Sequence, residues 1–245
     1  DAAGGGARAR AVPVLTSTAA WRERIAEWVP PDAIPDRPDI GERYPWRAVA
    51  THALTREHRQ RIDRTRRLLD QTLRDGRRWH ASYSGGKDST AVAILLGGEL
   101  PLVSVRDDLD FPGDRQYVEA FARSTRAQVT VLEPRGSKAE HLAAVRCRLV
   151  ESDAITPPWD WFLGLLETHR RAVGYDAVVI ALRSRESHGR RMNRAVRGLV
   201  YDRADGLRVC TPSADWHAID SHAVCAAAEI PLHPVYLCVD PGQDP

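Results

Sequence analysis

The sequence lacks any long apolar run. No stretch approaches the roughly 18 to 20 uninterrupted apolar residues that a membrane-spanning helix needs. The opening residues DAAGGGARAR also lack the charged-then-apolar order of a secretory signal. With 245 residues, 43% of them hydrophobic and 28% charged, the chain can bury one core of ordinary size. We therefore expect a soluble, cytoplasmic protein, and the composition excludes a disordered tail.

Cysteine is scarce, and its spacing is wide. The four cysteines are Cys147, Cys210, Cys225 and Cys238. None forms the C-x-x-C pair that marks a structural zinc site or a redox dithiol, so we expect reduced, mostly buried thiols. An iron–sulfur site built from distant cysteines stays an alternative, although the spacing does not support it.

Lysine is almost absent. Lys87 and Lys138 are the two lysines beside 33 arginines, and the formal net charge is only +2. Positive charge is concentrated, however, because segments 56–78 and 183–208 each carry a local net charge of +5. Concentrated cations suit a polyanionic ligand such as nucleic acid. For the first segment, a solvated arginine-rich helix face is the alternative.

The chain divides by composition into three parts. Residues 1–50, rich in glycine and proline, predict an extended N-terminal arm. Residues 51–76 predict an amphipathic, arginine-rich helix, because Leu54, Ile62, Leu69 and Leu73 recur at helical spacing before Gly76. Residues 77–245 predict a nucleotide-binding domain.

The third part has the pattern of an α/β protein. Apolar segments at 79–83, 102–105, 128–132 and 177–182 predict strands, and the segments at 91–96, 114–126, 137–150 and 159–173 predict helices. The order predicts a doubly wound, mainly parallel sheet with helices on both faces and ligands beyond the carboxyl ends of the strands. A small C-terminal hairpin, turning at Gly206, and a helix at 216–228 complete the prediction.

One loop concentrates the residues that suit phosphate binding. Between the first strand and its helix stand Ser84, Gly85, Gly86, Lys87, Asp88, Ser89 and Thr90. Two glycines let the backbone approach a ligand, and the following helix presents N–H groups and a positive dipole end. Hydroxyls add donors, an exposed Lys87 adds a mobile charge, and Asp88 adds a carboxylate that could hold magnesium. A tight turn with an ordinary cap would explain these residues singly but not together.

This loop resembles the SGGKDS pyrophosphate loop (PP-loop) of the ATP pyrophosphatase superfamily, in the branch of the phosphoadenosine phosphosulfate (PAPS) reductases. Three later stretches are similar to family motifs in the same order: Leu109-Asp110-Phe111-Pro112, then Arg183-Ser184-Arg185-Glu186-Ser187-His188-Gly189-Arg190, then Pro212-Ser213-Ala214-Asp215-Trp216 with His233-Pro234-Val235-Tyr236. The resemblance covers roughly residues 78 to 237. It departs at Arg106 and Asp108, where the family has aspartate and glycine in its adenosine-binding segment.

The resemblance implies an adenine nucleotide alpha hydrolase-like fold that binds ATP and Mg²⁺ and cleaves ATP between its α and β phosphates. Lys87, Arg183 and Arg190 are then the expected catalytic residues, the loop residues 84–90 bind the nucleotide, and Asp88 is the expected metal ligand. Glu186 is expected to orient the arginines and not to act as a base, because neighbouring guanidiniums lower the pKa of a carboxylate.

Three functions fit this resemblance. A sulfonucleotide (PAPS or APS) reductase would need the family's C-terminal Glu-Cys-Gly segment, whereas Cys238 lies in Leu237-Cys238-Val239-Asp240. An inactive nucleotide-binding subunit that recruits a partner would suit the altered segment at Arg106. We favour an ATP pyrophosphatase that adenylylates an acceptor for sulfur incorporation, as in DNA phosphorothioation, with nucleic acid as an expected acceptor and a cysteine desulfurase as an expected sulfur donor.

Overall fold

The computed structural model describes residues 17–34, 44–134, 136–139 and 164–237. Its centre is one six-stranded sheet. The strands are β1 (Trp79–Ser82), β2 (Leu102–Val105), β3 (Val129–Leu132), β4 (Ala177–Val179), β5 (Val200–Asp202) and β6 (Arg208–Cys210). They lie in the order β3-β2-β1-β4-β6-β5, and β5 alone pairs antiparallel. The predicted doubly wound, mainly parallel sheet is therefore confirmed.

The register of the sheet decides where a ligand can bind. β1 pairs with β2 on one side and with β4 on the other, so that Ala81 faces both Leu102 and Val179. The chain order reverses direction between β1 and β4, and this is the switch point at which open α/β sheets leave a crevice. The loops that follow Ser82 and Val179 therefore emerge side by side.

Eight helices surround the sheet in the described residues. They are α1 (Thr18–Ala26), α2 (Trp46–Ala53), α3 (Arg56–Thr72), α4 (Lys87–Leu96), α5 (Asp114–Thr125), α6 (Leu165–Val173), α7 (His188–Arg197) and α8 (Ala218–Ala227). Single turns of 3₁₀ helix occupy Pro31–Ala33, Ser184–Glu186 and Pro234–Leu237. None of the helices in this part of the chain is long and apolar enough to span a membrane.

The N-terminal arm differs from the extended conformation that its composition suggests. Residues 18–26 form α1, because Ser17 caps the helix by accepting a hydrogen bond from the N–H of Ala20. Trp21 and Ile25 of α1 are almost fully buried in the core. The indole of Trp21 donates to the carbonyl of Leu232, 3.0 Å away, and so joins the arm to the C-terminal segment. The composition did not predict this helix, because the glycines and prolines around it dominate the composition of residues 1–50.

The arginine-rich helix forms as predicted, with a different buried stripe. In α3, Ile62 and Leu69 are buried, but Leu54 is 71% exposed because it follows the end of α2. Polar residues complete the stripe, and Thr65 accepts a hydrogen bond from the indole of Trp216 at 2.9 Å. Periodicity alone assigned Leu54 to the buried stripe, because it does not show that one helix ends at Ala53 and the next begins at Arg56. The division into an arm, this helix and a nucleotide-binding domain stays a prediction.

The other predicted strands and helices are present in the described residues, although some of them begin or end at different positions. The strand predicted at 177–182 ends at Val179, and the helix predicted at 159–173 is described from Leu165 onward. Most of the helix predicted at 137–150 lies outside the described residues. β5 and β6 form the predicted hairpin, with Gly206 at a φ of +81° in its turn.

The burial of His80 on β1 predicts a pH dependence of stability. Burial lowers the pKa of His80 to about 4, although a hydrogen bond to the carbonyl of Ala177 partly opposes this shift. The unfolded chain therefore takes up this proton at a higher pH than the folded chain does. We expect the free energy of unfolding to fall as the pH is lowered from about 6.5 to 4.5, with about 2 kcal/mol of the loss due to His80.

Urea denaturation at several pH values measures this effect. His80→Gln should remove about 2 kcal/mol of the pH dependence, whatever its effect on stability at neutral pH. The control is His188→Gln on α7, where the histidine is exposed. Identical pH profiles for the wild type and His80→Gln would show that His80 does not titrate as described.

Candidate functional site

The loop after β1 makes a sharp turn that only glycine accommodates well. Gly85 has a φ of +75°, and a Cβ atom there would lie 3.5 Å from the Arg106 side chain and 3.6 Å from Tyr117. Gly86 is the N-cap of α4, and a Cβ atom there would lie 3.2 Å from the Ser84 hydroxyl. The helix starts at Lys87, two residues before Ser89. Its first turn presents N–H groups that have no partner within the helix, which is the geometry of an anion site.

Hydroxyl groups hold the loop in shape. The hydroxyls of Ser84 and Ser89 lie 3.0 Å apart, and Ser89 also donates to the carbonyl of Gly86. Thr90 is fully buried, and its hydroxyl lies 3.4 Å from the carbonyl of Gly85. Thr90 therefore supports the loop from below, while Ser84 is exposed at its rim and Ser89 is buried.

Lys87 is buried, in contrast to the exposed lysine that the sequence suggests. The residue is 3% exposed, because α4 begins at this position and Tyr236 covers the side chain. Its ammonium lies 5.4 Å from the centre of the Tyr236 ring and 3.8 Å from Oδ2 of Asp88, and its backbone N–H donates to the Tyr236 hydroxyl at 2.8 Å. A buried ammonium is stabilised by negative charge, so this position suits an incoming phosphate.

Asp88 connects three segments of the site. Its Oδ2 accepts a hydrogen bond from Nε of Arg183 at 3.1 Å, and its Oδ1 accepts one from the Ser221 hydroxyl on α8. Magnesium prefers carboxylate oxygens that are open to it, whereas both oxygens of Asp88 are engaged and a guanidinium and an ammonium lie beside them. Asp88 therefore fits a magnesium ligand poorly as it stands, and its metal role stays a prediction.

The stretch after β4 brings a second cation to the loop. Arg183 is 2% exposed and bridges Asp88 and Glu186, with 3.1 Å from its Nη2 to Oε1 of Glu186. Arg190, at the start of α7, pairs with the same glutamate through Oε2 and is 42% exposed. Glu186 thus stands between the two arginines, as expected for an orienting carboxylate. Arg183 contacts Asp88 of the loop directly, whereas Arg190 contacts Glu186, which in turn contacts Arg183.

Arg106 has a structural position that sequence reasoning missed. It directly follows β2, is 8% exposed, and donates to the carbonyl of Ser84 at 2.6 Å, to the Ser104 hydroxyl and to Asp114. Asp114 in turn contacts His233, 2.5 Å away. Arg106 therefore supports the peptide before Gly85. The sequence did give one sign of this role, namely that Arg106 departs from the family pattern.

A cavity of about 370 Å³ lies beside Arg106, beyond β2 and β3. Five carboxylates line it, from Asp107, Asp108, Asp110, Asp114 and Glu133, together with Phe111 and two arginines, Arg106 and Arg115. Arg106 pairs with Asp110 and Asp114, Arg115 pairs with Glu133, and Lys138 pairs with Asp107 at 2.7 Å. Carboxylates can accept hydrogen bonds from hydroxyl groups, and they disfavour a further anion.

The two described cysteines are buried thiols. Burial raises the pKa of Cys210 to about 12, although a hydrogen bond with Thr72 opposes the shift. Burial also raises the pKa of Cys225 well above its ordinary value. Neither thiol is therefore a ready nucleophile. Cys147 and Cys238 lie outside the described residues.

The arginine-rich segments take different places. On α3, Arg59, Arg66 and Arg67 are exposed, as predicted for a face that meets a polyanion. On α7 every residue is at least partly exposed, and Arg194 is held by Asp215 through two hydrogen bonds. The second segment therefore includes both buried Arg183 and a solvated helix.

Comparison with solved structures agrees with this fold. The chain is similar to phosphoadenylyl-sulfate (PAPS) reductase from Candida auris in its phosphate complex, with a TM-score of 0.53 and 13% identity over 74% of this chain and 91% of that one. It is also similar to the U34-tRNA thiolase NcsA from Methanococcus maripaludis, with a TM-score of 0.51 and 12% identity over 71% of this chain and 65% of that one. Among curated protein sequences, none matches significantly.

The sequence itself matches one family. Residues 78–238 match the family model of the phosphoadenosine phosphosulfate reductase domain, which is more than half of the chain. The matched range includes the loop after β1, the stretch after β4 and the contact between Lys87 and Tyr236. The chain therefore belongs to the phosphoadenosine phosphosulfate reductase domain family.

Proposed function

We propose that this protein is an ATP pyrophosphatase that transfers the adenylyl group of ATP to an acceptor, which is thereby activated for sulfur incorporation. The observation that carries the proposal is the buried ammonium of Lys87 at the start of α4, beside the turn at Gly85 and Gly86. Such an arrangement neutralises a departing pyrophosphate better than it binds a neutral ligand.

The reaction is a substitution at the α-phosphorus. An oxygen of the acceptor forms a bond to this phosphorus, the bond to the oxygen that bridges the α and β phosphates breaks, and the acceptor proton passes to solvent. Pyrophosphate leaves into the loop, where Lys87 and the first N–H groups of α4 offset its charge. Arg183, held by Asp88 and Glu186, is placed to contact the α-phosphate. Catalysis then rests on positioning and charge neutralisation.

The two described cysteines do not support sulfonucleotide reduction. A reductase attacks with a thiolate, and the raised pKa values of Cys210 and Cys225 disfavour that form. The carboxylate-lined cavity beside Arg106 supports the same preference. If the nucleoside lies there, carboxylates suit the ribose hydroxyls of ATP and repel the 3′-phosphate of PAPS.

For the acceptor we propose nucleic acid, as in DNA phosphorothioation. The exposed arginines of α3 provide a cationic face. A U34-tRNA thiolase shares the fold, which is compatible with sulfur chemistry on nucleic acid. The sulfur would then come from a donor protein such as a cysteine desulfurase, in the cytoplasm.

Replacement of Lys87 tests the reaction. Lys87→Ala should lower the release of pyrophosphate from ATP by about 100-fold to 1,000-fold, because it removes the cation that offsets the leaving group. Lys87→Arg should also impair release, since a planar guanidinium does not replace a buried ammonium. Pyrophosphate release is measured with ATP, magnesium and candidate nucleic acid acceptors. A parallel assay with PAPS and thioredoxin measures sulfite.

The control is Arg123→Ala, which removes an exposed charge near the end of α5, at the edge of the sheet away from the loop. Because Lys87 is buried, thermal melting must show that each variant is folded. Unchanged pyrophosphate release in folded Lys87→Ala would refute the assignment. Sulfite from PAPS would restore the reductase, and ATP binding without any turnover would favour an inactive nucleotide-binding subunit.

The arginines after β4 should differ in their effect. Arg183→Lys breaks the bridge between Asp88 and Glu186, and we expect at least about a 100-fold loss of turnover. Arg190→Lys should cost about 10-fold or less, because this side chain is half exposed and pairs only with Glu186 in the described contacts. Equal losses in steady-state turnover for the two variants would contradict this ranking.

The arginines of α3 test the acceptor. Replacement of Arg59, Arg66 and Arg67 by alanine should weaken nucleic acid binding and reduce the slope of log K against log salt by roughly 0.7 to 0.9 for each lost phosphate contact. ATP affinity should stay nearly constant, and serves as the internal control. Titrations at several salt concentrations measure the slope, and an unaltered slope would favour a small-molecule acceptor.

A further inference from the structure

Three side chains of metal-ligand type converge at a place that the proposed reaction does not use. His52 lies in the last turn of α2, His58 lies in the first turn of α3, and Asp220 lies in the first turn of α8. Nε2 of His52 and Nδ1 of His58 each lie 2.8 Å from Oδ1 of Asp220. One ligand atom from each residue lies within 4.8 Å of the others. Two imidazoles and a carboxylate are thus brought together by three different helices.

The other oxygen of Asp220 is held separately. Oδ2 accepts a hydrogen bond from the backbone N–H of His217 at 2.8 Å, and Nε of Arg61 lies 3.4 Å from it. Metal-binding carboxylates are commonly fixed in this way, with one oxygen toward the metal and the second hydrogen-bonded to neighbouring groups. Arg61 therefore contacts the carboxylate through the oxygen that the two histidines do not share.

The burial of the cluster is uneven. Asp220 is fully buried and the side chain of His58 is 7% exposed, whereas that of His52 is 19% exposed. A carboxylate in such a place needs positive charge close to it. The exposed edge of His52 leaves one side of the cluster open to solvent, which gives an ion a path of entry.

We propose that His52, His58 and Asp220 bind a zinc-type divalent ion. Zinc takes imidazole nitrogen and carboxylate oxygen as ligands and accepts three protein ligands with a fourth position open. Binding requires both histidines to be neutral, with the lone pair of each ligand nitrogen directed at the ion. The two nitrogens, which now contact Oδ1 of Asp220, then move slightly away from this oxygen to make room for the ion.

The position of the cluster gives such an ion a structural consequence. Ser221, the next residue after Asp220, donates its hydroxyl hydrogen bond to Asp88 of the nucleotide loop. An ion at the cluster would fix α2 and α3 to the first turn of α8, and through Ser221 would also restrain Asp88. This inference is independent of the proposed adenylyl transfer, because metal uptake is measured without ATP.

The test uses the full chain, stripped with a chelator and then titrated with Zn²⁺ in a calorimeter. We expect one tightly bound zinc per chain and a higher melting temperature on binding. Co²⁺ in place of zinc should give the visible absorption bands of a four-coordinate nitrogen and oxygen site. Failure of the wild-type chain to take up zinc or cobalt would overturn the proposal and leave a hydrogen-bonded cluster.

Variants identify the ligands. His52→Gln and His58→Gln should each weaken zinc binding by at least about 100-fold and abolish the cobalt bands. His52→Gln is the main variant, since His52 lies in the last turn of its helix and is partly exposed, so that we expect its replacement to leave folding intact. His188→Gln on α7 is the matched control and should bind like the wild type. Equal zinc affinity in the control and in folded His52→Gln and His58→Gln would also overturn the proposal.

Discussion

The carboxylate of Asp88 is the contact on which the geometry of the site depends. It accepts hydrogen bonds from Arg183 after β4 and from Ser221 on α8, and it lies 3.8 Å from the ammonium of Lys87. Segments that are about 95 and 133 residues apart in sequence are joined through this one side chain. An uncompensated carboxylate at this depth would be costly, so the cations and the hydroxyl stabilise one another's positions.

Two buried arginines support the loop after β1 from opposite sides. Arg106 donates to the carbonyl of Ser84 from the β2 side, and Arg183 contacts Asp88 from the β4 side. Each guanidinium is matched by carboxylates, Asp114 for the first and Glu186 for the second. The turn at Gly85 is therefore held before any ligand arrives, which is what preorganised charge stabilisation requires.

The N-terminal helices belong to the same body as the sheet. Trp21 of α1 reaches the C-terminal segment, Trp216 beside α8 reaches Thr65 of α3, and Asp220 joins α2 and α3. Each of these contacts satisfies a polar atom in a buried place, where an unpaired group would destabilise the fold. The same contacts bring the two histidines of the proposed zinc site to α8.

The sequence alone determined the order of the strands and of the helices from β1 to α8 except α7, the glycine turn after β1 and the family, because glycine, apolar runs and motif spacing are local signals. It could not determine the burial of Lys87, the place of Arg106 or the exposure of Leu54. Helix α1 was also hidden, since its glycine-rich and proline-rich surroundings dominate the local composition. Only the tertiary structure decided these, because burial and charge pairing depend on residues that lie far apart in the chain and meet when the sheet and its helices pack together.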